Sequence, residues 1–283
     1  MNGEIEHVTD TAFWVASYRA LESERPDALF RDPLAGLLAG EKGRKIARSM
    51  PGDRAMAFIM TMRTTAIDRL ISSAIAQGVN AVLNLGAGLD TRPYRMELPR
   101  ELRWVEADFP SLIEYKNEKL AKAQPHCALE RVALNLSDGP ERRALLERVG
   151  REAQSVLLIT EGVIVYLHDD EVGRLAEDAR AVPSMRFWIQ DYYGVEPRRH
   201  RSSLRRKLKA APFVFRDPDW FGFFAKYGFV PNETISTRRE ALRVGRRPPF
   251  FSMVAPLLWP LGAAWSDKSD QMLGYTLLER RET

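Results

Sequence analysis

The chain has 283 residues, 45 % of them apolar, enough for one large α/β body with appendages or at most two small domains. A formal charge of +4 is too small an excess to indicate nucleic acid as a partner. The single cysteine, Cys127, excludes an internal disulfide and any cysteine-rich zinc site, and the four scattered histidines, His7, His126, His168 and His200, show no metal-ligand spacing.

The opening MNGEIEHVTD is acidic and polar, unlike a signal or transit peptide, so a cytoplasmic protein is expected. Residues 10–24 predict a helix capped by Asp10 and ended by Pro26. Asp32-Pro33 starts a short second helix through Leu38, which Gly40 stops. Asp53 caps a long third helix to about Gln77, with Ile59, Met62, Ala66, Leu70 and Ile71 at helical spacing. These helices form an N-terminal cover over residues 1–78.

From Val79 the pattern alternates strands and helices, the signature of a parallel doubly wound sheet. Strands are expected at 79–85, 103–108, 129–135, 155–160 and 186–191, with helices near 90–98, 111–122, 139–149 and 170–181. Ser111 and Glu114 have the spacing of a capping box. After strand five come a basic segment with seven Arg/Lys between Arg198 and Lys209, a helix at 217–227 and a strand at 229–236. A proline-interrupted stretch, 237–270, precedes a last strand at 272–279. The reading is a single domain: cover 1–78, an alternating core at 79–192, and sheet completion at 193–283 with insertions at 194–212 and 237–270. The last strand is expected to insert antiparallel beside strand five.

In open α/β sheets, ligands bind outside the carboxyl ends of the strands, so the informative residues follow each strand. Strand one ends in Gly86-Ala87-Gly88, where absent Cβ atoms permit a tight turn. The spacing approaches the dinucleotide fingerprint, but Thr91 stands where its third glycine belongs. Strand two ends in Glu106-Ala107-Asp108, an acid twenty residues past Gly88 and suited to ribose hydroxyls. Strand three ends in Asn135-Leu136, an amide for an adenine edge and a side chain for its ring; strand four ends in Glu161-Gly162. Each alone has an ordinary explanation: Asp108 a helix cap, Asn135 a turn former, Glu161 an exposed strand end. Together they favour a nucleoside. Asp90 in the first helical turn would repel the pyrophosphate of NAD or FAD, whereas S-adenosylmethionine has a cationic amine and sulfonium and no phosphate.

GAGLDTRPYR at 86–95, EADFPSLIEYK at 106–116, NLSD at 135–138 and TEGVIVYL at 160–167 resemble the leucine carboxyl methyltransferase family, as do RALESERPDALFRDPLA at 19–35 and MRTTAIDRLI at 62–71. The resemblance spans about residues 12–192 and is strongest to the bacterial branch of polyketide and other small-molecule O-methyltransferases. It implies a class I methyltransferase, Rossmann-like seven-stranded α/β sheet of order 3-2-1-4-5-7-6 with N-terminal helices closing over the cofactor. By motif position it implies that Arg63 and Arg19 hold the methionine carboxylate, Gly86 meets the amino-acid part, Asp108 the ribose and Leu136 the adenine. Glu161 would lie by the amine, and Tyr166 near the methyl-transfer pocket. Ala87, Gly88, Asp90, Arg92, Glu106, Asn135 and Gly162 complete the cofactor-binding set. Asn135 departs from the family, where many members carry Asp. For Arg63 physics agrees: a carboxylate buried under a helical cover needs a partner, and an arginine fork matches it bidentately.

The expected activity is S-adenosylmethionine-dependent O-methylation of a carboxylate or hydroxyl on a small, largely apolar or aromatic metabolite, leaving S-adenosylhomocysteine. The alternative is carboxyl methylation of a protein C-terminus. A carboxylate acceptor is already ionised at pH 7, whereas a phenol gains from a base. His168 is the best-placed candidate base, although a surface position in a first helical turn is its commoner explanation. Tyr192 and Tyr193 follow strand five and are expected to face the acceptor. Residues 248–265 are apolar over eighteen positions, but four prolines argue against stable membrane insertion and for a lid or a homodimer contact. Nucleic-acid methylation is disfavoured: Cys127 lacks a preceding proline and strand four ends TEGV.

Overall fold

A seven-stranded sheet of order β3-β2-β1-β4-β5-β7-β6 organises the computed structural model, which describes residues 5, 7–50, 53–194, 210–249, 270 and 272–281. The strands are β1 (Ala81–Leu85), β2 (Arg103–Asp108), β3 (Ala128–Ala133), β4 (Val156–Thr160), β5 (Met185–Tyr193), β6 (Phe229–Ser236) and β7 (Leu273–Arg280). The order expected from the sequence is thus the one the chain adopts. The pairs β1–β2, β1–β4, β2–β3 and β4–β5 are parallel, with Ala81 opposite Arg103 on one side and Val156 on the other. Every residue of β1 and β4 is buried, which explains their unbroken apolar runs: a parallel strand covered on both faces has no solvent side.

The helices are α1 (Asp10–Ser23), α2 (Ala35–Ser49), α3 (Asp53–Ala76), α4 (Arg92–Arg95), α5 (Pro110–Lys119), α6 (Gly139–Arg151), α7 (Asp169–Ala181), α8 (Trp220–Ala225) and α9 (Thr237–Arg243). Among the details that differ from expectation, four have a local reason. Thr9, not Asp10, occupies the cap of α1; Asp10 lies one residue inside, where Lys42 reaches it at 2.6 Å. Gly40 (φ 55°, ψ −161°) breaks the helix as expected, but a second helical piece of α2, absent from the sequence reading, follows it to Ser49. Asp32 accepts the Ala35 N–H at 3.0 Å at the start of the first piece. Pro110 itself begins α5, with Phe109 as its cap, so Ser111 lies inside the first turn and forms no capping box. The stretch after β6 opens with α9 rather than irregular chain, because Ser236 Oγ accepts the Arg239 N–H at 3.1 Å.

The chain forms two compact units, whose boundaries differ from the 1–78, 79–192 and 193–283 division. One comprises residues 68–190, 212–233 and 276–283, and the other 1–67, 191–211 and 234–275. The first carries an aromatic core beside β5: Trp188 meets Phe224 at 5.2 Å and Phe229 at 5.3 Å, both edge-on. Its indole N–H donates to Thr160 Oγ1 at 2.8 Å, so the buried polar atom is satisfied. In the second, α1 and α2 pack together around buried Ala16, Ala35, Leu38 and Ile46. Arg246 reaches Glu22 of α1 at 3.0 Å, tying the chain after α9 to that pair. Among the described residues no helix is long and apolar enough to cross a membrane. The basic segment 198–209 and most of the apolar segment 248–265 lie outside the described residues.

Candidate active site

The loops after β1, β2, β3 and β4 all belong to the first unit, and the candidate cofactor residues there can be placed directly. Gly86 (φ 67°) and Gly88 (φ 52°) turn the chain out of β1 in a conformation that side chains disfavour. A Cβ on Gly86 would stand 2.4 Å from Val163 Cγ2, so the glycine also admits the loop after β4 against the backbone. The N–H groups of Gly86 and Ala87 both donate to Ala107 O, at 2.8 and 3.2 Å.

Asp108 joins the first two loops. Its Oδ2 accepts the Gly88 N–H at 2.6 Å and its Oδ1 the Phe109 N–H at 2.7 Å. Each oxygen retains acceptor capacity for a hydroxyl. Burial pushes this carboxyl above its ordinary value, against the two N–H donors that hold it down.

Asp90 lies one residue before the Thr91 cap of α4, outside the first turn where the sequence placed it. Its Oδ1 accepts the Arg92 N–H at 3.0 Å, and its Oδ2 accepts from Asn84 Nδ2 and Arg92 Nη1, each at 3.0 Å. A helix N-terminus that holds a pyrophosphate in a dinucleotide fold is here filled by the protein's own carboxylate. Arg92 Nη1 also reaches Glu161 Oε2 at 2.7 Å, and Arg92 Nε reaches Asp68 Oδ1 at 2.7 Å. Burial alone would push the Arg92 guanidinium down; Asp90, Glu161 and Asp68 together carry it well above its ordinary value. Gly162 follows Glu161 with φ 66°.

Other residues fall differently. Glu106 is fully buried and faces Lys116 Nζ at 2.8 Å and Arg131 Nε at 2.9 Å. Its charge is thus engaged inside the fold, where burial pushes the Lys116 ammonium down against the pull of Glu106. Asn135 is exposed, and its Oδ1 closes a turn on the Ser137 N–H at 3.1 Å. Leu136 borders a cavity of about 110 Å³ together with Gly139, Arg142, Leu167 and Leu175. Tyr166 ends a single 3₁₀ turn, Ile164–Tyr166, and meets Phe213 edge-on at 5.4 Å. His168 is the exposed cap residue of α7; its backbone N–H donates to Glu171 Oε2 at 2.8 Å.

The second unit holds the remaining candidates. Arg19 Nε donates to Asp32 Oδ2 at 2.8 Å in a buried pair, and Arg63 Nη1 lies 3.7 Å from Asp191 Oδ2. The sequence places Tyr192 and Tyr193 after strand five, both toward one pocket. Instead β5 runs through Tyr193, and adjacent strand residues point to opposite faces. Tyr193 donates to Asp191 Oδ2 at 2.8 Å, on the face of Arg63, whereas Tyr192 donates to Asp270 O at 2.6 Å. Burial pushes the Tyr192 phenol up to about 12. Only one of the two can serve a given pocket.

Sequence reasoning missed Asn84 and Asp68. Asn84 carried a usable signal, as a polar residue inside a fully buried strand. Asp68 lies in the 62–71 stretch that carries the resemblance, but its pairing with Arg92, 24 residues on, left no local pattern. Among the described residues no group of three His, Cys, Asp or Glu side chains is placed to hold a metal ion.

The family model for leucine carboxyl methyltransferase matches residues 12–179. A Streptomyces coelicolor protein, provisionally named an S-adenosyl-L-methionine-dependent methyltransferase, is 39 % identical over 189 residues, covering 61 % of this chain and 66 % of its own. The chain thus matches just under two thirds of that relative's length. A Mycobacteroides abscessus protein of the same provisional name is 31 % identical over 223 residues, covering 72 % of each chain. Among solved structures, a methyltransferase assigned provisionally in Thermobifida fusca superposes with a TM-score of 0.56 at 16 % identity, covering 94 % of both chains. A DUF574 family protein from Streptomyces avermitilis gives 0.55 at 14 % identity, covering 94 % of this chain and 97 % of that one. At these identities the two structures establish a shared fold.

Proposed function

Because the chain belongs to the leucine carboxyl methyltransferase family, we propose that it is an S-adenosylmethionine-dependent O-methyltransferase of a small, largely apolar or aromatic acceptor. The observation that carries the cofactor reading is Asp90, whose carboxylate takes the Arg92 N–H at the start of α4 at 3.0 Å. An anionic group there excludes a pyrophosphate and suits a phosphate-free nucleoside with a cationic end. The donor set around it agrees: Asp108 offers acceptors to ribose hydroxyls, Leu136 an apolar wall to adenine, and Glu161 a carboxylate to the α-ammonium. Arg63 and Arg19 remain the proposed partners of the methionine carboxylate.

When bound, S-adenosylmethionine would supply an electrophilic sulfonium methyl, whose carbon an acceptor oxygen attacks in line as the C–S bond breaks and S-adenosylhomocysteine leaves. The chain's contribution is positional. Holding acceptor oxygen and methyl at near-attack distance can be worth roughly 7–11 kcal/mol. Asp108 and the glycine turn fix the nucleoside, and the Arg92-centred cluster fixes the two carboxylates beside it. Tyr166 and Tyr193 are the proposed acceptor-side contacts. No dedicated general base is assigned.

Calorimetry with S-adenosylmethionine, S-adenosylhomocysteine and NAD tests the cofactor: the first two bind and NAD does not. A turnover screen with methyl-labelled donor across aromatic carboxylates, phenols and a leucine-terminated peptide tests the acceptor. Turnover on the peptide alone would replace the small-molecule reading with carboxyl methylation of a protein C-terminus.

A further inference from the structure

We propose that Asp68, on α3, is a positioning residue for the amino-acid end of the cofactor, acting through Arg92 on Glu161 and Asp90. The inference rests on the reading of these loops as an S-adenosylmethionine cradle, and it names a residue outside all four of them.

Asp68 takes up the fixed side of the cluster. Its Oδ1 accepts Arg92 Nε at 2.7 Å and Arg95 Nη2 at 2.9 Å, while its Oδ2 accepts Arg95 Nη1 at 2.6 Å. Arg92 is only 3 % exposed, so its guanidinium must find its partners within the protein. A guanidinium is planar with donors in a rigid fork, and pinning Nε to one carboxylate sets the direction in which Nη1 points. That nitrogen reaches Asp90 Oδ2 at 3.0 Å and Glu161 Oε2 at 2.7 Å, so one donor gathers acids from the loops after β1 and β4. Asn84 holds the same Asp90 oxygen from within β1 at 3.0 Å. Asp90 therefore stands where Asn84 and Arg92 put it, Glu161 where Arg92 reaches it, and Asp68 decides where Arg92 stands.

The consequence is specific. With Asp68 neutralised, Arg92 loses the anchor of its Nε, and the buried cation turns toward its remaining carboxylates. Glu161 is then drawn onto the guanidinium and offered less well to an α-ammonium. Asp108, which crosslinks the first two loops through Gly88 and Phe109, is untouched by this change. Asp68 thus governs the amino-acid end of the cofactor and leaves the adenosine end alone.

Two ligands separate these ends. S-adenosylhomocysteine carries both, whereas 5′-methylthioadenosine keeps adenosine and thioether but lacks the amino acid. Calorimetric titration of the wild type, Asp68→Asn and Arg92→Lys with each ligand reads the proposal. Asp68→Asn weakens S-adenosylhomocysteine about tenfold and leaves 5′-methylthioadenosine within about twofold, the size expected for one charge-assisted contact. Arg92→Lys keeps the charge but not the fork, so it gives the same split and stands in if Asp68→Asn does not fold. Equal losses on both ligands, or no loss on either, overturn the assignment of Asp68. A wild type that binds neither ligand overturns the cradle reading itself, which is a different result.

Discussion

Two sets of segments, one in each unit, fix their charged groups with a different emphasis. In the unit of residues 68–190, 212–233 and 276–283, the turns after β1 and β2 are shaped by carboxylates on backbone donors, Asp90 on the Arg92 N–H and Asp108 on those of Gly88 and Phe109, beside the side-chain cluster of Arg92. In the other unit, the segment around α9 is held by side-chain pairs, Arg246 with Glu22 and Asp270 with Ser236, Arg238 and Arg239, whereas Asp32 takes both Arg19 and the Ala35 N–H. A loop held by its backbone has one shape and tolerates few residue types. A loop held by exchangeable ion pairs leaves its composition open.

The largest effect that tests this contrast is at Gly86. Alanine there meets both a left-handed backbone and Val163 Cγ2 at 2.4 Å. Gly86→Ala is expected to cost about 2–4 kcal/mol of stability in urea unfolding and to abolish measurable cofactor binding. Gly78 is the control, with φ 92° but open space around its missing Cβ. Gly78→Ala carries the backbone strain alone, about 1–2 kcal/mol, and keeps cofactor affinity. Equal binding losses in both would mean that the shape of the β1 loop is not what matters.

Next in size is Asp108→Asn, expected to weaken S-adenosylmethionine about ten- to a hundredfold. Its pH dependence has a definite sign. Burial raises the folded carboxyl above 3.8, so the folded state holds this proton to higher pH than the unfolded chain. This group's contribution to stability therefore declines as pH rises through the window above about pH 4. With ribose hydroxyls donating to the ionised form, as proposed for Asp108, cofactor affinity is expected to rise across that same window with release of a proton. Calorimetry at stepped pH in buffers of different ionisation enthalpy reads both, and Asp108→Asn flattens the profile.

Asp270→Asn probes the other side of the comparison. Burial alone would raise this carboxyl, but hydrogen bonds from Arg238, Ser236 and Arg239 outweigh it and hold it below 3.8. Its stabilising contribution is present above the ordinary carboxylate value and is lost as pH falls through the lower, folded one. The arginines are 37 % and 65 % exposed, so solvent screening leaves about 1 kcal/mol or less. The expected signature is a several-fold rise in acceptor KM with cofactor Kd within about twofold. A change in cofactor Kd instead would erase the distinction between the two kinds of loop.

The same contrast explains what could be read in advance. β1 and β4 were legible because strands buried on both faces favour apolar runs, and β2 is bounded at Arg103–Asp108 as expected despite its polar residues. Asp108 and Asp90 were legible because backbone donors at a strand end and a helix start call for an acid at a fixed offset. Asp68 was not, because a side-chain partner 24 residues away leaves no local pattern. The extent of β5 was misjudged for a related reason: Tyr192 and Tyr193 follow a buried run without a turn former, and nothing local marks where pairing ends. α9 was hidden by the prolines downstream of it, although Ser236 three residues before Arg239 was a cap in plain view.

The smallest expected effect concerns His168, the residue that local sequence singled out as a base. Its position argues for a structural duty: it caps α7, its backbone N–H is held by Glu171 Oε2 at 2.8 Å, and its side chain is exposed. A general base must come within hydrogen-bond reach of the proton it takes and gains from exclusion of water. An exposed helix cap meets neither demand without a rearrangement of the loop after β4. His168→Gln is therefore expected to change turnover less than about threefold, with cofactor Kd unaltered and no shift in the pH–rate profile. A loss of two or more orders of magnitude with cofactor binding intact would place a base there, and would mean that the loop after β4 carries chemistry as well as the proposed contact to the cofactor's amine.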